Sequence, residues 1–293
     1  MTSHTDAHPS QRVVNNARLV FLGTGTSSGV PAVACTCPGC SSADPRDTRL
    51  RTSGALLFHD ETGQQRVILI DAGPDLRQQA LRAKLMRCDA LLMTHNHVDH
   101  TWGIDELRRF NTVMKQSIPV YASEHTAAFL HRVYQHIFVK EANINNSYVA
   151  SLDMHLVTPM QPFEIFGMRI TPIPIWHGNL EVMAYRFDLL SKSRNERESL
   201  FPFVWCTDVS SIPEDSLRMM MDVRTLVLGA LRHKPHETHM TINEAVAVAQ
   251  NISASQTWFV HMGHEVVHAE IDPELPEGIR LAWDGLELAS NTS

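Results

Sequence analysis

Four side chains that bind metal ions fall within six residues: His95, His97, Asp99 and His100, in the run Thr94-His95-Asn96-His97-Val98-Asp99-His100. The run directly follows Ala90 to Met93, an apolar stretch that reads as a strand. An extended backbone sends residues two apart to one face, so His95 and His97 should point together. Asp99 and His100 come where the chain turns toward a helix. Imidazoles crowded this tightly repel one another if protonated and lose solvation if buried neutral; a metal ion removes both problems. A His-rich solvated loop, the competing reading, explains neither the order nor the position after a strand. The segment can serve two adjacent ions, one held by His95 and His97 and the other by Asp99 and His100.

Two ions need more ligands, and later apolar runs end beside suitable residues. His177 follows the strand 170–175, Asp208 follows 204–207 and His261 follows 257–260. Asp208 is the natural bridge, because a carboxylate has two oxygens. Asp71, at the end of another strand, can orient a ligating imidazole. A second cluster, Cys35-Thr36-Cys37-Pro38-Gly39-Cys40, supplies three thiolates in six residues. In a reducing compartment such clusters are metal ligands or catalysts more often than disulfides. Closing a tetrahedron takes one more ligand, and His264 is among the candidates. Redox chemistry competes as a reading, but no thioredoxin-like unit follows. Cys88 and Cys206 sit in apolar surroundings and read as small buried hydrophobes. The turn Gly23-Thr24-Gly25-Thr26-Ser27-Ser28-Gly29 lacks the lysine of a phosphate loop and the dinucleotide-binding spacing, so it reads as a tight turn leading to the cysteines.

The elements that must position these groups are short apolar strands with helical patterns between them. Strands are expected at 18–23, 55–58, 67–71, 90–94 and 118–121, with helices at 76–85 and 124–138. A second set holds strands at 168–175, 182–187, 204–207, 224–229 and 257–260. Its helices are 213–221, opening on Pro213, and 242–250, capped by Thr241. The strands bunch before the helices in each half, which predicts two sheets face to face with helices outside, an α/β four-layer αββα sandwich. Residues 1–17 are expected to form a polar tail and 18–293 a single domain with the cysteine knuckle, 35–40, inserted. Residues 191–200 read as an exposed loop, and 140–156 lacks a period that assigns it.

The 293 residues are 43% hydrophobic and 19% charged, an ordinary globular mix that excludes disordered and disulfide-scaffold classes. A net charge of −7 argues against binding nucleic acid by bulk electrostatics. No apolar run approaches the ~18 residues of a membrane span, and no signal-peptide stretch opens the chain, so a cytoplasmic location is expected.

The set His95-x-His97-x-Asp99-His100, His177, Asp208 and His261 resembles the metallo-β-lactamase superfamily of metallohydrolases, whose fold is the αββα sandwich with metals at the edge between the sheets. The Asp99-His100 pair points toward its dinuclear phosphodiesterases and thiolester hydrolases. The glycine turn with Val30-Pro31, the CxCxxC cluster, the segment His261-Met262-Gly263-His264 and the terminal Trp283-Asp284-Gly285-Leu286-Glu287 resemble one subfamily, the phosphoribosyl 1,2-cyclic phosphate phosphodiesterases of phosphonate catabolism. That resemblance implies a structural zinc on Cys35, Cys37, Cys40 and His264, and two divalent cations, manganese or zinc, at the other site. It also implies a histidine near the active site at His239, whose protonated ring could neutralise charge or protonate the leaving group. His239 and Asp99 are the candidates for direct roles in the reaction; His233 and His236 read as surface residues. The expected substrate is a small cyclic phosphate or nucleotide-like diester. A thiolester hydrolase like glyoxalase II and a transfer-RNA 3′-end nuclease are the alternatives, the latter lacking a visible basic arm. No membrane partner is expected, and a homodimer stays open. The segment 110–140 is expected to shape the substrate pocket. His261 and His264 are only three residues apart, yet they are expected to serve different metals. The dinuclear set is already large and needs open positions, whereas the knuckle has three ligands and needs a fourth.

Overall fold

Alternation along the strands decides the layers. In β1 (Asn15–Gly23), Leu19 and Phe21 join one apolar cluster while Val20 and Leu22 join another. In β3 (Gln65–Ile70), Ile68 and Ile70 divide from Val67 and Leu69 in the same way. Each strand is therefore buried on both faces, and each sheet needs a cover on both. This computed structural model describes residues 14–60, 62–143, 148–190 and 200–289.

The first sheet adds β2 (Ser53–His59), β4 (Ala90–Leu92), β5 (Ile118–Ala122) and β6 (Leu152–Leu156). The second comprises β7 (Phe163–Ile165), β8 (Met168–His177), β9 (Leu180–Leu189), β10 (Phe203–Cys206), β11 (Thr225–Gly229), β12 (Gln256–Val260) and β13 (Ile279–Leu281). The last strand, β14 (Glu287–Ala289), returns to the first sheet, giving the orders β14-β1-β2-β3-β4-β5-β6 and β13-β12-β11-β10-β9-β8-β7. Their inner faces meet in a core that includes Phe21, Phe58, Ile70, Tyr185, Phe203 and Trp205. Helices α1 (Leu76–Arg82), α2 (Val98–Thr101), α3 (Arg108–Met114), α4 (Glu124–Val133) and α5 (Gln135–Phe138) follow strands of the first sheet; Leu76, Phe110 and Leu130 pack on its outer face. Helices α6 (Glu214–Met219) and α7 (Ile242–Ile252) do the same for the second, through Leu217, Ile242, Ala245 and Ala249, and α8 (His268–Ile271) follows. The four-layer αββα sandwich is as expected.

Several boundaries differ from the sequence expectation. Of the tail expected at 1–17, Asn15 to Ala17 belong to β1, and residues 1–13 lie outside the described residues. The helix expected at 124–138 breaks at Tyr134, whose backbone (φ −107°, ψ 43°) leaves the helical region. Pro213 stands just before α6 as its cap residue, and His177 is the last residue of β8 rather than a residue after it. β6 was hidden inside the unassigned 140–156 because it is an edge strand with mostly exposed side chains. The expected loop at 191–200 lies, except for Leu200, outside the described residues. Among the described residues no helix is long and apolar enough to cross a membrane.

The strands that matter for the site run parallel. β3 and β4 are parallel neighbours, as are β10, β11 and β12, so the C-terminal ends of each set share an edge of their sheet. Asp71, Asp208 and His261 leave those strand ends with left-handed backbones (φ 61°, 52° and 59°). Such conformations are uncommon for residues with a Cβ and gather at functional sites. Thr241 caps α7 in a reciprocal box: its hydroxyl accepts from Glu244 N–H, and the Glu244 carboxylate accepts from Thr241 N–H.

Candidate metal centre

The strand ends bring the predicted ligands together in two sets. His95, His97 and His177 form one, and Asp99, His100, Asp208 and His261 the other; within each set the ligand atoms lie within 4.8 Å of one another. All are buried except His97, which stands exposed at the rim. The rings of His95 and His97 are 4.6 Å apart between centroids, and that of His97 is 5.0 Å from His177. Asp208 stands between the sets. Its Oδ1 lies 3.9 Å from His95 Nε2, while Oδ2 lies 3.3 Å from His100 Nε2 and 3.2 Å from His261 Nδ1. One carboxylate oxygen toward each set is the geometry of a bridging ligand.

The outward ring nitrogens of His95, His100, His177 and His261 are engaged. His100 Nδ1–H donates to Asp71 Oδ2 at 2.7 Å, and His177 Nδ1–H donates to the Thr238 carbonyl at 2.6 Å. His95 Nδ1–H donates to Thr94 Oγ1 at 2.9 Å, and that hydroxyl donates on to Asp71 Oδ2 at 2.7 Å. His261 Nε2 meets Thr26 Oγ1 at 3.2 Å. By contrast, His95 Nε2, His100 Nε2 and His261 Nδ1 are buried with no hydrogen-bond partner. Buried polar atoms left unpaired are costly and rare. Here they are lone pairs converging on two positions beside carboxylates, which is what divalent cations require. The donor set therefore fits two cations.

The electrostatics agree. Although burial opposes its charge, Asp208 is held well below the usual carboxylate range by His261, His100 and His95. Burial likewise opposes the charge on His100, but Asp208, Asp71 and Asp99 hold that ring well above its ordinary value. Burial and the neighbouring His100 push His95 well below its own. Carboxylates that hold a proton on His100 in this way offer the same attraction to a cation placed among them.

His239 lies beside this cluster, with its ring 4.5 Å from His177 and 4.8 Å from His261. The expectation that its ring is protonated is corrected. Burial first, and then the charge of His261, pushes its pKa down to about 3. A neutral ring still has one N–H to donate. His233 and His236 are exposed, as expected. Asp71 takes the orienting role assigned to it, but for two ligands, because Thr94 carries its reach to His95. Thr94 and Thr26 were missed. Thr94 stands immediately before His95 and could have been suspected from that. Thr26 lies in the turn read only as a connector, and its contact is made 235 positions away in sequence.

The cysteine cluster closes on His264. Its Nδ1 lies 3.1, 3.3 and 3.4 Å from the sulfurs of Cys35, Cys37 and Cys40. Tetrahedral zinc with ordinary Zn–S and Zn–N bonds places those atoms about 3.6 Å apart, a few tenths wider. Gly39 is required here, since a Cβ would stand 2.1 Å from the His264 carbonyl oxygen. Buried Asp47 ties the knuckle down by accepting from Arg49, Ser42 Oγ and the backbone N–H of His268, and Arg49 in turn donates to the Gly263 carbonyl. His261 and His264 thus face different ligand clusters, and Cys88 and Cys206 are buried and unpaired with other sulfurs.

Comparison with known proteins accords with this geometry. A family model described as "Beta-lactamase superfamily domain" matches residues 66–262. A crystal structure of a diphosphatase from the PhnP family is similar at 38% identity and a TM-score of 0.82, over 94% of this chain and 98% of that one. An octanoyltransferase from Porphyromonas gingivalis is 33% identical over 92% of this chain, which spans only 51% of that protein's length. Zinc-bound PqqB from Methylobacterium extorquens, 19% identical over 92% of this chain and 99% of that one with a TM-score of 0.70, shares the fold. With the family match covering more than half its length and the αββα sandwich in place, the chain belongs to the β-lactamase superfamily.

Proposed function

We propose that this protein is a phosphodiesterase that holds two divalent cations, manganese or zinc, and hydrolyses a small cyclic phosphate or nucleotide-like diester. The observation that carries the reading is Asp208, with one oxygen toward His95 and the other toward His100 and His261. Bound there, two cations would polarise a phosphoryl oxygen and lower the pKa of water enough for attack at neutral pH. His95, His97 and His177 would hold one, Asp99, His100 and His261 the other, with Asp208 shared.

The remaining steps belong to side chains. Asp71 fixes the tautomers of His100 and, through Thr94, His95, so their lone pairs stay inward. His239 reaches the same space with a neutral ring, whose N–H suits donation to a phosphoryl oxygen as charge builds. Asp99, beside His100, completes the carboxylate charge facing that set. Cys35, Cys37, Cys40 and His264 would carry a structural zinc and take no part in the reaction. The similarity to a PhnP-family diphosphatase supports phosphorus chemistry over thiolester hydrolysis. Thiolate ligands persist in a reducing compartment, which supports a cytoplasmic location.

The test is a parallel assay of bis-p-nitrophenyl phosphate, nucleoside 2′,3′-cyclic phosphates and a thiolester. Hydrolysis of the phosphodiesters, lost on chelation and restored by manganese or zinc, is expected. Thiolester hydrolysis without phosphodiester hydrolysis would overturn the reading.

A further inference from the structure

Three histidine rings stand in a row from the ligand cluster to the surface. Buried His177 lies 4.5 Å between centroids from half-buried His239, which lies 5.2 Å from exposed His236. The hydrolytic steps above use the first two rings and leave the third without a task. Its position is set by the fold. Residues 233–239 are pinched at their base, where Leu231 N–H donates to the Met240 carbonyl and Ile242 N–H to the Arg232 carbonyl, both at 3.0 Å. The pinched turn packs closely on the β8–β9 hairpin: a Cβ on Gly178 would stand 2.8 Å from Thr238 Cγ2.

Thr238 ties both ends of the row together. Its carbonyl accepts from Nδ1–H of His177 at 2.6 Å, while its N–H and hydroxyl reach Nδ1 of His236 at 3.3 and 3.2 Å. A backbone N–H can only donate, so Nδ1 of His236 keeps a lone pair and the ring carries its N–H at Nε2, on the side away from Thr238. A diester with its phosphoryl group among the ligands and one oxygen at His239 carries its organic group out past this third ring. The hydroxyl and ring oxygens of a sugar-like group are acceptors, and a held N–H discriminates between substrates that offer such an oxygen and those that lack it.

We propose that His236 is a specificity-determining residue: through Nε2–H it binds an oxygen of a sugar-like group esterified to the phosphate, on the side of the centre that His239 occupies. The inference rests on the phosphodiesterase reading and adds to it which part of the substrate is recognised, and by which residue.

The experiment compares two probes on metal-loaded protein: the 5′-p-nitrophenyl phosphodiester of thymidine, which carries a sugar, and methyl p-nitrophenyl phosphate, which carries only a methyl group in its place. Both release p-nitrophenolate, so the ratio of their kcat/KM values isolates recognition of the sugar. In H236A that ratio should fall by about fivefold, the worth of one hydrogen bond. The fall should come from a higher KM for the thymidine probe, because the contact is made to a group that does not react. H236Q, whose amide N–H reaches the place of Nε2–H, should recover most of the ratio. Equal loss on both probes, with or without loss of cations, marks a structural role and overturns the assignment. So does a ratio unchanged in H236A, or a fall that H236Q does not recover. Hydrolysis of the methyl probe alone by the wild-type protein also overturns it; all of these leave the phosphodiesterase reading in place. Hydrolysis of neither probe by the wild-type protein overturns both.

Discussion

At the scale of single residues, the bridging carboxylate and the exposed histidine make opposite tests of the same centre. Asp208→Asn keeps the shape and removes the charge that both ligand sets share; His97→Ala removes a rim ligand without touching the core. Both are expected to abolish hydrolysis and lower metal content while circular dichroism stays native. Full activity with unchanged metal in either would remove that residue from the site. His239 is different in kind, since the two main sets are complete without it. His239→Ala should keep both active-site cations and lower turnover by ~10²–10⁴. Loss that shrinks for p-nitrophenolate, which leaves without a proton, identifies His239 as a proton donor; equal loss across leaving groups identifies a hydrogen bond to the phosphoryl oxygen. Unchanged turnover would remove it from the reaction.

At the scale of elements, strand ends and the knuckle do separate work. Asp71 follows the end of β3, accepts from Thr94 N–H at 2.8 Å, and holds His100 directly. An amide there offers a donor to a site where three groups already donate. Asp71→Asn should therefore weaken cation binding by ~10–100-fold, measured by competition with a chelator. Binding as tight as wild type would show that the ligands orient themselves. The segment after β12 carries the clearest division of labour. The left-handed turn at His261 (φ 59°) directs that ring toward Asp208, and three residues later His264 meets the three sulfurs. His261→Ala should lose activity with one zinc per chain retained. His264→Ala should lose that zinc and melt at lower temperature, with activity falling as a consequence. The reverse pattern would exchange the two assignments.

At the scale of the whole molecule, the site depends on two sheets held at a set distance, because its ligands come from the edges of both. Gly54 in β2 and Trp205 in β10 face each other across that core, and a Cβ on Gly54 would stand 2.7 Å from the indole ring. Trp205 is fully buried and cannot give way without opening the layer. Gly54→Ala should cost ~1–3 kcal/mol in denaturant unfolding. A smaller cost would mean that the sheets slide to accommodate a methyl group. β14 and the knuckle both join chain ends to the body of the fold, β14 through its pairing with β1 and the knuckle through His264. The strip of chain from His261 to Ala289 thus carries one residue of each ligand cluster, His261 and His264, together with β14.

The metal chemistry was legible in the sequence because ligand type is a local property. His95 to His100 announces itself by composition, and His177, Asp208 and His261 by falling at or just after strand ends, where side chains reach a sheet edge. The central strands were legible because burial on both faces makes a continuous apolar run. What escaped was whatever depends on pairing across distance. β6 and β14 are short or exposed edge strands whose only signal is a neighbour far along the chain. Thr26 looks like any turn threonine until His261 arrives beside it. The protonation of His239 turns on burial among other imidazoles, a sum over residues from four separate segments. Sequence alone determined which atoms could bind cations. Tertiary structure decided which way the rings of His100, His177 and His261 face, because the partner on the far side of each comes from another element.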